Sequence, residues 1–239
     1  MTKPATIESP ESVVDAPRRR RRAEARIAAK AHLPTRFGHF DVVAFTTSPS
    51  DGKEHAALIR GDVAGQENVP VRLHSECLTG DTFGSLRCDC RDQLEMALRE
   101  IDRRGQGILL YLRQEGRGIG LANKIRAYRL QEEGLDTIEA NEALGFKPDE
   151  RDYEVAARIL EALDVRSIIL LSNNPGKIED LRAYGVRVAG RVPIQVRANR
   201  HNARYLETKR LKAGHLLEPP EGPPIRDQLD CLTCKPESE

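Results

Sequence analysis

The sequence has few aromatic residues, no tryptophan and no long apolar run. Aromatic residues make up 4% of the 239 positions, so a buried core has to be built mainly from Leu, Ile, Val and Ala. No stretch of about 18 consecutive apolar residues occurs, which excludes a membrane-spanning helix. An excess of one charge is also absent, because 38 Lys and Arg residues are balanced by 37 Asp and Glu residues. This balance disfavours a protein whose main role is to coat nucleic acid.

Cysteine is sparse and unevenly distributed. Three of the five cysteines are Cys77, Cys88 and Cys90, and the other two are Cys231 and Cys234. An odd number of cysteines in two clusters does not fit a disulfide framework. The C-terminal pair has the spacing of a metal knuckle or a redox site. No apolar segment follows the N-terminal basic run, as a signal peptide would require. We therefore predict metal ligation in a reducing compartment and a cytoplasmic location.

The two ends of the chain differ in composition from the middle. Residues 1–32 include the unbroken basic run Arg18 to Arg22 and are predicted to form a flexible basic arm. This arm either binds RNA, a membrane or a partner, or is a solvated segment leading into a short helix. Residues 218–239 are rich in proline and are predicted to form a tail. The catalytic domain is expected to span residues 33–217.

Strand-like and helix-like segments alternate within this central region. The predicted strands are Phe40–Thr47, His55–Gly61, Val69–His74, Gly107–Leu112 and Ser167–Leu171, with a turn at Ser50, Asp51 and Gly52 between the first two. The predicted helices are Arg91–Arg104, Gly120–Glu133, Tyr153–Leu163 and Pro175–Tyr184. The alternation predicts an α/β fold, namely a layered single catalytic domain with a mixed β-sheet flanked by helices.

The strongest chemical signal is three cysteines within fourteen residues, at positions 77, 88 and 90. Structural zinc sites usually have four protein ligands, whereas catalytic zinc sites keep three and leave the fourth position to solvent. Zinc lowers the pKa of water that it binds to near 7, and some nucleobase deaminases use a three-cysteine site of this kind. Two alternatives remain open: a structural zinc completed by His74 or by a tail cysteine, and a set of unrelated buried thiols.

Two strand-to-helix turns are candidates for phosphate binding. Residues 113–120 (RQEGRGIG) follow a predicted strand and begin a helix, which favours a concave arrangement of backbone N–H groups, although a plain tight turn is equally consistent. Residues 172–177 (SNNPGK) place Lys177 in the first helical turn, where a cation is unfavourable unless an anion compensates it.

A solvated helix face would explain Lys124 or Arg126 individually, but the cations near these motifs together predict a polyphosphate ligand. These cations are Arg72, Arg87, Arg113, Arg117, Lys124, Arg126, Arg151 and Lys177.

These motifs resemble the GTP cyclohydrolase II family over residues 33–217. The resembling segments are Arg72–Asp81, Ser85–Cys90, Arg113–Leu121, Asn123–Tyr128, Asp136–Thr137, Ala140–Asn141, Gly145–Phe146, Asp149–Asp152 and Asn173–Pro175. The resemblance implies a homodimeric enzyme that opens the imidazole ring of GTP and releases formate and diphosphate. The implied product is 2,5-diamino-6-ribosylamino-4(3H)-pyrimidinone 5′-phosphate, the first intermediate of riboflavin biosynthesis.

The resemblance also implies a role for individual residues. It assigns one Zn²⁺ per subunit to Cys77, Cys88 and Cys90, and Mg²⁺ to the triphosphate. The implied GTP-binding residues are Arg72, Leu73, His74, Ser75, Glu76, Gln93, Glu115, Gly116, Arg117, Thr137, Ser172 and Lys177. Ser172 stands where the family usually has Thr, which keeps the hydroxyl group.

The resemblance implies three further catalytic roles. Asp149 is the proton acceptor, and Arg151 is either a nucleophile toward the α-phosphate or a clamp that holds the phosphates. Tyr128 orients the base or the water at the metal, and its presence predicts the full reaction. The alternatives are a related enzyme that stops at the formamidopyrimidine, and a non-catalytic zinc module that binds nucleotides or RNA.

Overall fold

The structure, a computed structural model, describes residues 23–48 and 52–218. Within these residues a seven-stranded sheet has the order β1-β2-β3-β5-β4-β6-β7. The strands are β1 (Glu24–Thr35), β2 (Gly38–Ser48), β3 (His55–Arg60), β4 (Val69–Ser75), β5 (Gly107–Leu112), β6 (Ile168–Leu171) and β7 (Val188–Val192). The first three strands and β5 pair antiparallel, whereas β5, β4, β6 and β7 pair parallel. The predicted mixed sheet is confirmed.

Helices cover both faces of the sheet. They are α1 (Cys90–Arg104), α2 (Gly120–Glu132), α3 (Thr137–Ala143), α4 (Glu154–Ala162), α5 (Pro175–Ala183) and α6 (Ala203–Leu211). On one face, α1 buries Ala97, Leu98 and Ile101 in a small core, as its apolar spacing predicts. On the other face, α4 and α5 pack on a larger core built mainly from Val, Ile and Leu. The layered α/β prediction is therefore confirmed.

The N-terminal boundary differs from the prediction. Residues from Glu24 onward form strand β1, which pairs with β2 from Glu24 opposite Ser48 to Thr35 opposite Gly38. The prediction of a flexible arm through residue 32 is therefore wrong for residues 24–32, and this segment leads into a strand and not into a short helix. The basic run Arg18 to Arg22 lies outside the described residues, as do most of the predicted turn at residues 50–52 and both tail cysteines.

Three parallel strands end at the same edge of the sheet, where the candidate chemistry is concentrated. Strand β4 lies between β5 and β6. Residues 76–90 follow β4, the glycine-rich turn follows β5, and residues 172–177 follow β6. Ligand sites of α/β sheets form at the carboxyl ends of parallel strands, and the fold therefore brings these three segments together. Among the described helices, none is long and apolar enough to cross a membrane.

Candidate active site

A cleft at the carboxyl ends of β4, β5 and β6 contains most of the residues expected from the sequence. Its lining combines three thiols, several cations and few apolar side chains. The expected residues that line it are Arg72, His74, Ser75, Glu76, Cys77, Cys88, Cys90, Gln93, Glu115, Gly116, Arg117, Tyr128, Thr137, Arg151, Ser172 and Lys177. Leu73 and Asp149 are not among the lining residues, and the Leu73 side chain lies in the core.

The three cysteines form a compact cluster with the dimensions of a metal site. The Sγ atoms of Cys77, Cys88 and Cys90 all lie within 4.8 Å of one another, and those of Cys77 and Cys88 are 3.7 Å apart. Tetrahedral zinc with Zn–S bonds of about 2.3 Å requires sulfur atoms about 3.8 Å apart. The donor set therefore fits Zn²⁺, and no further His, Cys, Asp or Glu among residues 23–48 and 52–218 joins the cluster.

Asp81 fixes the loop that carries Cys77. Its carboxylate accepts hydrogen bonds from the Cys77 backbone N–H at 3.0 Å and from the Tyr111 hydroxyl at 2.9 Å. It also accepts from Nε2 of His74, which lies 3.0 Å from both carboxylate oxygens. His74 is thereby turned toward Asp81, and the structure gives no support to His74 as a fourth metal ligand.

His74 is a buried imidazole whose Nε2 is bonded to Asp81. Burial lowers the pKa of His74 despite the nearby Asp81 carboxylate, so the imidazole is neutral at neutral pH. Because Nε2 carries the proton that Asp81 accepts, Nδ1 is unprotonated. Nδ1 has no hydrogen-bond partner among the described residues, and it is closed off from solvent.

Gly80 lies so close to the thiol cluster that a side chain cannot fit. It belongs to the short turn Leu78–Thr82, which follows Cys77. A Cβ atom at position 80 would lie 2.8 Å from Sγ of Cys88 and 3.1 Å from Sγ of Cys77. The cysteine loop therefore wraps around a backbone without a side chain, which allows the three thiols to converge.

We expect Gly80→Ala to weaken metal binding, because the added methyl group would push the sulfur atoms apart. Overpacking of this kind costs about 1–3 kcal/mol, so zinc affinity should fall by about 5- to 150-fold. Gly190→Ala in β7 is the matched control, since its Cβ would meet nothing within 4 Å. Zinc competition with a chromogenic chelator measures both variants, and equal affinities would contradict the packing role of Gly80.

Lys124 connects the thiol cluster to the glycine-rich turn. Its ammonium group lies 3.1 Å from Sγ of Cys77 and 2.7 Å from a carboxylate oxygen of Glu115. Burial alone would lower the pKa of Lys124, but Glu115 and Cys77 outweigh this effect and raise it. Hydrogen bonds from Cys88 and Cys90, together with Lys124, lower the pKa of the Cys77 thiol. Lys124 is therefore a buried cation beside the Cys77 thiolate. The alternative that Lys124 lies on a solvated helix face is wrong.

Tyr128 is connected to the thiol cluster by the hydroxyl group of Thr79. The Tyr128 hydroxyl is 3.2 Å from the Thr79 hydroxyl, which is itself 3.7 Å from Sγ of Cys77. The guanidinium of Arg87 stacks 4.8 Å above the Tyr128 ring. Burial raises the pKa of Tyr128 above its ordinary value, so the phenol keeps its proton at neutral pH. Tyr128 is thus able to donate a hydrogen bond close to the thiols.

The glycine-rich turn has backbone angles that favour glycine, as its sequence suggested. Its backbone N–H groups are not all free to bind an anion. Gly116, Arg117 and Gly118 all have positive φ angles, between 59° and 94°, which costs about 1 kcal/mol or more for a non-glycine residue such as Arg117. The Glu115 carboxylate accepts from the Gly116 N–H at 2.7 Å. The same carboxylate accepts from the Leu78 N–H, also at 2.7 Å. The Glu115 carboxylate therefore anchors the cysteine loop, and it also occupies one of the backbone N–H groups expected to bind phosphate.

The loop after β6 places a buried cation in the cleft. Asn174 caps α5 by accepting from the Gly176 N–H at 2.9 Å, and the Ser172 hydroxyl accepts from the Asn174 N–H at 3.0 Å. Lys177, in the first turn of α5, donates to the Leu73 carbonyl at 2.9 Å. Burial, followed by the charges of Arg72 and Arg151, lowers the pKa of Lys177 well below its ordinary value. An anion in the cleft would relieve this repulsion among cations.

Arg151 and Asp149 form an ion pair at the rim of the cleft. The Arg151 Nε–H donates to Asp149 at 2.8 Å, and a terminal guanidinium nitrogen contacts the second carboxylate oxygen. Burial alone would lower the pKa of Arg151, but Tyr153 and Asp149 raise it above its ordinary value. Burial works against ionisation of Asp149 as well, but the hydrogen bond and charge of Arg151 hold the pKa of Asp149 below its ordinary value. The pair is therefore charged on both sides.

Several cleft residues had no signal in the sequence. Tyr205, Lys209 and His215 line the cleft from α6 and the segment after it, beyond the last resembling motif. Thr79 lies in the cysteine loop, outside the cleft lining, and contacts the cleft residue Tyr128. The first three residues could not be found by spacing, because they reach the site only through long-range packing.

Comparison with known proteins agrees with this geometry. The sequence profile described as GTP cyclohydrolase II matches residues 25–193. The chain is 60% identical over 186 residues to the riboflavin biosynthesis protein RibBA of Bacillus subtilis (strain 168), covering 77% of this chain and 46% of that protein. It is 58% identical over 185 residues to the RibBA protein of Bacillus cytotoxicus, with the same two coverages.

The chain spans just under half the length of these relatives. A solved structure of RibBX, a two-domain 3,4-dihydroxy-2-butanone 4-phosphate synthase from A. baumannii, is 18% identical and superimposes with a TM-score of 0.39, covering 71% of this chain and 40% of that chain. The profile match extends over most of the residues that form the sheet and the cysteine cluster. The chain belongs to the GTP cyclohydrolase II family.

Proposed function

We propose that this chain opens the imidazole ring of GTP in a zinc-dependent hydrolysis that releases formate and diphosphate. The product would be 2,5-diamino-6-ribosylamino-4(3H)-pyrimidinone 5′-phosphate, which begins riboflavin biosynthesis. The observation that carries the proposal is a three-thiol cluster that faces a cation-lined cleft and has no fourth protein ligand among the described residues. Such a cluster suits a metal that also has to bind solvent.

The cation-rich part of the cleft is the proposed triphosphate site. Lys177 is held in a buried position by the Leu73 carbonyl, and Arg72 donates to the Leu171 carbonyl at 3.0 Å. Each of these groups can turn its remaining donors toward an anion. Mg²⁺ would accompany the triphosphate and offset part of its charge.

Arg151 is proposed as a phosphate clamp and not as a nucleophile. A nucleophilic guanidinium has to lose a proton, and the Asp149 carboxylate stabilises the protonated form at a separation of 2.8 Å. A planar protonated guanidinium can instead hold two phosphate oxygens at once. Asp149 in this proposal orients Arg151, since the carboxylate is already paired and has little tendency to accept a proton.

The guanine base is proposed to bind at the thiol end of the cleft. Bound Zn²⁺ would act as a Lewis acid and lower the pKa of water to near 7. Cys77, Cys88 and Cys90 would hold the ion, and the Lys124 ammonium would offset the negative charge of the thiolates at 3.1 Å. The Tyr128 hydroxyl would donate to the ring or to solvent beside it. His74 would hold Asp81, which fixes the backbone of Cys77.

The test is identification of the products that the purified chain forms from GTP. We expect equal amounts of formate and diphosphate, together with the diaminopyrimidine phosphate identified by mass spectrometry. A formylated product without formate would show that the reaction stops at the formamidopyrimidine. Binding of GTP or RNA without turnover by the zinc-loaded chain would show a non-catalytic binding module. The homodimer and the cytoplasmic location remain predictions that belong to this proposal.

A further inference from the structure

Helix α6 contributes to the cleft although it follows the last motif that resembles the family. Its side chains Tyr205 and Lys209 line the cleft, and His215 does so from the segment that follows. Lys209 is 8% exposed, which is unusual for a lysine and requires a compensating partner. The function proposed above assigns no role to it.

The partner of Lys209 lies between two of the cysteines. The Lys209 ammonium donates to Oδ1 of Asp89 at 2.7 Å, and Asp89 is 2% exposed. Asp89 separates Cys88 from Cys90 in sequence and precedes the first residue of α1. The ammonium also lies 4.3 Å from the centre of the Tyr205 ring, so it is enclosed on a second side.

The same carboxylate connects to the proposed nucleotide site. Oδ2 of Asp89 accepts from the Gln93 side-chain amide at 2.5 Å, and the amide oxygen of Gln93 accepts from the Arg72 guanidinium at 2.5 Å. Lys209, Asp89, Gln93 and Arg72 therefore form one continuous chain of hydrogen bonds, in which Gln93 is partly exposed. Lys209 is the member of this chain that comes from the C-terminal helix.

We propose that Lys209 is a positioning residue that holds Asp89, and through it both the Cys88–Cys90 segment and the Gln93–Arg72 pair. Asp89 can take only one orientation when each of its oxygens has a separate donor. That orientation sets the direction of the backbone at both flanking cysteines. The inference rests on the proposed metal site and deepens it by linking the thiols to the nucleotide-binding side chains.

Helix α6 has attachments that do not depend on Lys209. Arg204 donates to the Gly134 carbonyl at 2.7 Å, and Lys212 pairs with Asp136 and with Glu139. The Leu216 N–H donates to the Asn173 carbonyl at 2.8 Å. Because these contacts remain, loss of the Lys209 ammonium should release Asp89 without detaching the helix.

The test compares Lys209→Met with Arg210→Met in the zinc-loaded chain. Arg210 is adjacent on the same helix and pairs with Glu207 at the surface, so it is a matched control for the loss of one positive charge. Loss of a residue that orients the ligands of a metal typically changes metal affinity or activity by 10- to 100-fold. We therefore expect Lys209→Met to release zinc to a chelator about tenfold faster or more and to raise the KM for GTP, with Arg210→Met unchanged.

A double variant separates positioning from simple charge compensation. Lys209→Met alone leaves a buried carboxylate without its cation and should lower the thermal midpoint. Asp89→Asn with Lys209→Met removes both charges, so we expect the midpoint to recover while zinc release stays about tenfold faster than in the parent chain.

The outcomes are distinguishable. Recovery of the parental zinc-release rate together with the midpoint would overturn the positioning role, as would a parental rate in Lys209→Met. A parent chain that binds no zinc would instead overturn the proposed function and this inference with it.

Discussion

Cys88→Ser is expected to lower the rate of formate release from GTP by about a thousandfold. Serine keeps the size of the side chain but removes a thiolate ligand, so Zn²⁺ loses one of three protein donors. Stabilisation of charge by a bound metal supplies several kcal/mol to a hydrolytic transition state, and about 4 kcal/mol corresponds to about a thousandfold in rate. Formate release and zinc content are measured on the same preparation.

Cys88 is a better choice for this test than Cys77, because Cys77 also contacts Lys124. Cys234→Ser in the C-terminal tail is the matched control for the loss of one thiol. The proposed function predicts that this control retains both zinc and activity. Loss of zinc from Cys234→Ser would instead support a closed structural site completed by the tail, and parental formate release by zinc-free Cys88→Ser would remove the metal from the reaction.

Arg151→Met is expected to lower diphosphate release by about 100- to 1000-fold. The substitution removes a partly exposed guanidinium that the proposal places on the phosphates. Loss of one aligned donor at a developing negative charge costs this much in other enzymes. Arg151→Lys should recover part of the rate, since it restores the charge but not the planar pair of donors. Arg103→Met on the exposed side of α1 is the control, because Arg103 pairs with Glu100 and neither residue lines the cleft.

Asp149→Asn distinguishes the two roles of Arg151. A clamp requires a protonated guanidinium that is held in place, and the amide oxygen of Asn can still accept from the Arg151 Nε–H. Asp149→Asn should therefore retain most of the diphosphate release. A nucleophile requires Asp149 to accept the guanidinium proton, so the same variant should then be as impaired as Arg151→Met. Diphosphate release is followed by a coupled colorimetric assay, and equal impairment of the two variants would contradict the clamp.

The thiol cluster and its place in the fold could be predicted from the sequence because the signals are local. The cysteines are close in sequence, and their loop follows the short β-branched run Val69–His74, which predicts a strand. Parallel strands end at one edge, which brings Lys177 to the same cleft although it lies far along the chain. These features depend on spacing and periodicity alone.

The elements that sequence reasoning missed lack such local signals. Strand β1 is exposed along most of its length, so its side chains show little apolar alternation, and it is held by pairing with β2. Helix α6 has the sequence ARYLETKRL and buries Thr208 and Lys209 instead of an apolar stripe. The partner of Lys209 lies 120 positions away at Asp89, a distance over which no motif can be recognised.

X-ray absorption at the zinc edge of the loaded chain tests the central claim most directly, because it counts the ligands of the metal. The account predicts three sulfur atoms at about 2.3 Å and one lighter oxygen donor from solvent. Four sulfur donors, or three sulfurs with a histidine nitrogen, would show a closed structural site and contradict the assignment of hydrolytic chemistry to the cleft.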